Sequence, residues 1–281
     1  MQITSGFRPV LRRIILVFLL LCGAWSQAHA DTYTFSSPPR LGPAASRALF
    51  APLMEVLSKG TGESFVYVHP DSWFSYQSDV RKGRFALLLD DAHMAAWRIA
   101  SRGDVPLVRA RDRIRFVLVA VRDSRIYSKD DLIGQPVCAY PPPDLGTVGL
   151  LRKFNGPFQV PRIVATFEPI DRVRRLLAGD CAGAVLSRRF YTESEDLRPV
   201  AHQLEIITQT DSYPGITLTA ATILPPSLRK AVQDVLLSRA GERATTELRA
   251  RLAGGDTFVA ATKDENAGLD RLLRNYPGFG E

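Results

Sequence analysis

Blocks of apolar residues follow one another along the chain, and their period alternates between that of a strand and that of a helix. Tyr33–Ser36 reads as a short strand opening into Ser37-Pro38-Pro39-Arg40-Leu41-Gly42. From Pro43, a residue suited to a first helical turn, Leu49, Leu53, Val56 and Leu57 recur at helical spacing. Pro52 inside that segment predicts a kink, and Lys59-Gly60-Thr61-Gly62 predicts a stop. Phe65–Val68 is a second strand, followed by the turn His69-Pro70-Asp71-Ser72 and a short helix over Trp73–Lys82. Phe85–Leu89 is a third strand, Asp90-Asp91-Ala92-His93 leads into a helix to Ala100, and Val105–Arg109 and Ile114–Val121 are further strands.

Strand–helix alternation of this kind predicts a parallel sheet with helices on its faces. The polar stretch Arg122–Asp131 interrupts it, and then it restarts. Pro136–Tyr140 reads as strand, Thr147–Phe154 as helix, Arg162–Phe167 as strand, Ile170–Ala178 as helix and Cys181–Leu186 as strand. Strand-like Glu205–Thr208 and Ile216–Ala221 follow, and the tail reads as helices over Pro226–Ser238, Glu242–Leu252 and Glu265–Asn275. The expected fold is α/β with two lobes, each a mainly parallel sheet flanked by helices. Residues 31–122 with 218–281 would form the first lobe and residues 123–217 the second. No Gly/Ser-rich linker divides them, so the crossings near Arg122–Lys129 and Asp211–Thr217 are expected to act as hinges beside an interlobe cleft.

Residues 1–30 have another character. Arg8, Arg12 and Arg13 form a basic segment, Ile14–Leu21 an apolar core too short to span a membrane, and Ala28-His29-Ala30 a small-residue cleavage site. They are expected to be a signal peptide cut after Ala30, releasing the protein into the periplasm. Cys22 is preceded by Leu20-Leu21, where a lipid-anchored protein would need small residues. Removing the three arginines lowers the net charge from +7 to +4. That mild excess is scattered and calls for no nucleic-acid partner. Cys138 and Cys181 remain, on the first and third strands of the second unit. These strands are neighbours in a doubly wound order, and an exported protein permits their bridging, with two separate buried thiols as the alternative.

The stretch Asp130–Val148 carries the most chemistry. A strand ending at Tyr140 meets Pro141-Pro142-Pro143, which holds the turn stiffly, and Asp144-Leu145-Gly146-Thr147 opens a helix. Helix N-termini offer free N–H groups to anions, and ligands of open α/β sheets bind at strand carboxyl ends. Tyr140 and Thr147 are therefore site candidates. Ser37 and Arg40 follow the first strand. Trp73 and Tyr76 begin the second helix, where they would either stack on a ligand or pack in the core. Asp91 and His93 close the third strand. Arg188 ends the last strand of the second unit, oriented oppositely to Arg189 if extended, and suits a carboxylate or phosphate. Tyr213 lies on the return crossing. The histidines are too few and too scattered to make a metal site. No GxSxG, HExxH, Walker or GxGxxG motif points to an enzyme or a cofactor.

Several segments together resemble the type II periplasmic substrate-binding proteins of ABC transporters, in the phosphate/phosphite/phosphonate-type group. They are Leu49-Phe50-Ala51-Pro52-Leu53 with Thr61-Gly62, Val80–Ala86, Asp131–Val137 and Val173–Val185. Ala86 and Gln135 replace the Asp and Lys that are usual in that group. The resemblance implies a monomer that closes on a small, anionic solute and delivers it to a membrane ABC permease. The same fold also serves ligand sensors that dock on membrane signalling proteins, which is the alternative reading. Phosphonate binders of the group usually place a Ser/Thr-rich turn at the second-lobe helix. Here the turn offers Thr147 as its only hydroxyl, beside Asp144.

Overall fold

The computed structural model describes residues 31–156 and 158–279, so the signal peptide expected over residues 1–30 lies outside the described residues. The first sheet contains β1 (Thr32–Ser36), β2 (Ser64–Tyr67), β3 (Leu87–Asp90), β4 (Val105–Ala110), β10 (Thr217–Ala220) and β11 (Phe258–Ala260). Their spatial order is β11-β4-β10-β3-β1-β2. β1 is parallel to β2 and β3, whereas β10 is antiparallel to β3 and β4, and β11 to β4. The second sheet runs β7-β6-β8-β5-β9, from β5 (Phe116–Val121), β6 (Pro136–Ala139), β7 (Arg162–Ala165), β8 (Gly183–Ser187) and β9 (Leu204–Gln209). β6 is parallel to β7 and β8, and β5 is antiparallel to β8 and β9. Both sheets are therefore mixed, with the expected parallel strands joined by antiparallel ones.

Helices cover the faces of each sheet. On the first sheet, α1 (Pro43–Thr61) buries Leu49, Phe50, Leu53, Met54 and Leu57, and each such side chain contributes about 1.5–3 kcal/mol of burial. Pro52 lies inside α1 without ending it, and Gly62, at φ 81°, terminates it in the left-handed conformation glycine favours. α1 packs with α7 (Pro226–Leu237) in one core, while α2 (Trp73–Arg81) and α3 (Ala92–Arg102) cover the opposite face. On the second sheet, α4 (Leu145–Leu151) lies on one face, and α5 (Pro169–Leu177) and α6 (Arg188–Glu193) on the other. The tail holds α8 (Arg239–Ala244) and α9 (Thr246–Leu252), where the pattern predicts one helix over Glu242–Leu252, and two short 3-10 turns at Asp264–Asn266 and Leu269–Leu272, where it predicts a helix over Glu265–Asn275.

The strand Phe116–Val121, expected to close the first unit, hydrogen-bonds within the second sheet. Its sequence is apolar on both faces, which suits a place between two neighbours. Val117 and Val119 enter one core of that sheet and Leu118 the other. In the first sheet β4 is already flanked by β10 and β11, so the chain passes on. The passages between the sheets are thus residues 111–115 and 210–216. Cys138 on β6 and Cys181 just before β8 are bridged, with Cα atoms 5.8 Å apart and a sequence separation of 43.

Candidate functional site

Strand ends and helix starts of both sheets converge at one place. From the first sheet, Ser37 Oγ donates to Leu89 O at 2.9 Å and ties the end of β1 to β3. Arg40 forms an ion pair with Asp91. Asp91 stands at the N-cap of α3 but makes no side-chain cap bond. A capping box between Ser72 and Ser75 starts α2, so Trp73 is its first residue. From the second sheet come Tyr140, Pro143 and Asp144, between β6 and α4.

The two sets touch. His93, 1 % exposed, places Nε2 at 2.7 Å from Pro143 O. Because a carbonyl only accepts, Nε2 carries the proton in this bond. The Trp73 ring meets Tyr140 edge-on with centroids 5.7 Å apart, and Tyr140 meets Phe167 at 5.1 Å. The Arg172 guanidinium lies 5.9 Å from the Tyr140 centroid and donates to the carbonyls of Thr166, Phe167 and Val185 at 2.9–3.0 Å. Burial lowers its pKa. Burial also opposes the Arg40 charge, but Asp91 and Asp144 outweigh it and hold that guanidinium protonated.

Three buried polar atoms in this cluster have no hydrogen-bond partner: Trp73 Nε1, His93 Nδ1 and Tyr140 Oη. Trp73 Nε1 and Tyr140 Oη are close enough for the indole N–H to lower the phenol pKa, although burial raises it overall. A buried polar group left unpaired costs about 1–3 kcal/mol, so three such atoms in one cluster call for an explanation.

The α4 N-terminus is not the open anion seat its position suggests. Asp144 Oδ1 accepts from Gly146 N at 3.0 Å and Thr147 N at 3.3 Å, and Thr147 Oγ1 donates to Tyr140 O at 2.6 Å. The carboxylate of the chain itself occupies the seat. Burial, and next the charge of Asp91, pushes the Asp144 pKa up.

Other candidates lie elsewhere. Tyr76 is fully buried, and its hydroxyl donates to Asp90 Oδ1 at 2.5 Å. Asp90 also pairs with Arg98, which bonds Thr219 and Asp104. This is internal wiring of the first sheet. Tyr213 packs on Gly149 of α4 and on Leu145 and Leu272, where burial pushes its phenol up to about 12. Arg188 begins α6 rather than ending a strand, because Ser187 caps that helix through Phe190 N; its NH1 donates to Gln209 at 3.0 Å. Arg172 and Phe167 were not anticipated. Arg172 had one legible signal: it occupies the apolar stripe of α5 together with Val173 and Leu176.

Two sheets with helices on their faces, and a polar site where their strand ends meet, define a two-lobed α/β solute-binding protein. The family model of the periplasmic substrate-binding protein of phosphonate ABC transporters matches residues 35–266, and the chain belongs to that family. Its role is the capture of a solute for ABC uptake, without enzymatic turnover. No curated protein matches the chain. Among solved structures, XAC2383 from Xanthomonas citri, bound to ATP, superposes with a TM-score of 0.70 at 14 % identity, over 87 % of this chain and 99 % of that one. PhnD1 from Prochlorococcus marinus, in complex with methylphosphonate, gives 0.66 at 11 % identity, over 86 % and 97 %. A binding protein component of an ABC phosphonate transporter from Pseudomonas aeruginosa gives 0.63 at 14 %, over 86 % and 85 %. At such identities the likeness is one of fold.

Proposed function

We propose that the solute is a small molecule with one anionic group, held between Arg40, Trp73, His93, Tyr140 and Arg172. The observation that carries this reading is the set of three unpartnered buried atoms, Trp73 Nε1, His93 Nδ1 and Tyr140 Oη, contributed by both sheets. Two arginines face two aspartates in the cluster, so only a modest charge is needed from the ligand. Arg40 supplies the planar fork that suits a phosphonate or carboxylate. Ser37 and Asp91 support the wall; Thr147 and Asp144 hold the turn that carries Tyr140.

The lobes in this reading are the two sheets with their helices, divided at residues 111–115 and 210–216, and capture is a hinge closure about those passages. The arrangement described, with His93 bonded to Pro143, corresponds to the closed form. The protein is exported by the signal peptide at residues 1–30, cut after Ala30. It acts in the periplasm as a monomer that hands its solute to a membrane ABC permease.

Calorimetry with methylphosphonate, phosphate and short carboxylates tests the assignment, after native mass spectrometry has identified any solute retained on purification. For the solute that binds, Arg40→Ala should cost about 2–5 kcal/mol, as truncation of a buried charge pair does. Unchanged affinity in that variant rejects the site.

A further inference from the structure

A second concavity lies beside the passages between the sheets and shares none of the solute residues proposed above. It is a groove of about 920 Å³, within the range of small-molecule pockets. Residues 110, 112–115 and 215–216 line it, and it runs between α6 and residues 250–255 at the end of α9 and just beyond. Five guanidinium groups line it: Arg113, Arg115, Arg188, Arg189 and Arg251. Its lining also includes the carboxylates of Asp112 and Glu193, and Glu247 stands behind Arg251.

The partners of these arginines leave donors to spare. Arg189 pairs with Glu193 at 2.9 Å, and Arg251 is 3.8 Å from Glu247. Arg113 bonds Ser212 and Arg188 bonds Gln209, both uncharged. Arg115 Nε is buried without any partner. Arg189 also crosses the groove: a Cβ at Gly254 would lie 2.6 Å from its NH1. Both walls are therefore basic, and one comes from each sheet.

We propose that this groove binds a linear oligophosphate chain, free or carried on a nucleoside. A single small anion could occupy one guanidinium fork and would leave the others uncompensated. A chain of phosphates presents anionic oxygens along its length and accepts from several forks at once. Arg113 and Arg115 belong to one passage between the sheets, so a ligand spanning from Arg188 to Arg251 would fix the passage in one geometry. It would act as an effector of solute capture, with each ligand changing the affinity of the other by the same factor.

The test is calorimetry of the full chain with inorganic tripolyphosphate and, separately, ATP. Arg188→Gln changes an exposed residue and should weaken tripolyphosphate binding by about tenfold or more, equivalent to about 1.4 kcal/mol. Adding Arg115→Gln should weaken it further, with an unchanged melting temperature showing that the variant is folded. Tyr140→Phe, in the solute site, should leave tripolyphosphate binding as in the parent. Equal affinity for the two probes means that the phosphate chain alone is read, and tighter ATP binding means a nucleoside-borne chain. Binding that survives Arg188→Gln, that is lost in Tyr140→Phe, or that is absent at about 1 mM probe, a free energy near −4.1 kcal/mol, overturns the proposal.

Discussion

His93 of α3 and Pro143 of the turn before α4 are joined by a 2.7 Å hydrogen bond between the imidazole Nε2 and the carbonyl oxygen. The bond links the two sheets directly at the proposed solute site. Such a bond is worth about 1 kcal/mol net, so losing it should shift the ratio of open to closed forms roughly fivefold. His93→Ala without solute should therefore give a larger radius of gyration by small-angle scattering. Superimposable curves from parent and variant would show that His93 is not a latch.

Tyr140 carries a buried hydroxyl with no partner, a cost of about 1–3 kcal/mol in the solute-free protein. Tyr140→Phe removes that cost and keeps the ring that packs between Trp73 and Phe167. The variant should melt higher than the parent without solute and bind solute more weakly. This opposition is what distinguishes a site residue from a structural one. A variant that loses stability, or one that binds as tightly as the parent, would refute the role given to Tyr140.

Asp144 has a pKa raised by burial and then by Asp91. A carboxyl with a raised folded-state pKa contributes its full stability below the ordinary value of 3.8 and loses it as pH rises through the raised one. Asn at this position still caps a helix and does not titrate. The melting temperature of Asp144→Asn relative to the parent should accordingly climb from about pH 4 toward neutrality. A difference that is flat or falls with pH would contradict the sign.

The Cys138–Cys181 bridge closes a loop with a sequence separation of 43, worth about 4 kcal/mol in the chain-entropy account. Replacing both residues by Ala should lower the unfolding free energy in urea by roughly that amount. The denatured, unreduced mature protein should titrate no free thiol. Two reactive thiols would eliminate the bridge.

Much of this architecture is legible in the sequence. The alternation of strand and helix periods located most of the elements, because side-chain burial repeats every two residues in one and every 3.6 in the other. Its restart after Asp131 predicted the second sheet. Two cysteines on the first and third strand segments are expected to approach one another, with a bridge or two separate thiols left open; β6 and β8 are neighbours, and the bridge forms. The candidates Arg40, Trp73, Asp91, His93 and Tyr140, all at strand ends or helix starts, come together in one cluster.

Other features depended on partners distant in sequence. Phe116–Val121 is a strand by its pattern, but its sheet was decided by which neighbours had unpaired edges. Arg188 and Arg189 looked like a strand end with opposed side chains. The hydroxyl of Ser187 capped a helix there instead, which turned both toward the basic groove. Asp144 reads locally as a charge that repels anions, and the fold makes it the occupant of the anion seat itself. Arg172 looks like a surface arginine until three carbonyls, two just after β7 and one in the middle of β8, surround it. Local periodicity records which face of an element avoids water, and so the sequence alone determined the elements and their buried faces. What a polar side chain meets there depends on the turns that bring distant strand ends together, and that was decided by the tertiary structure.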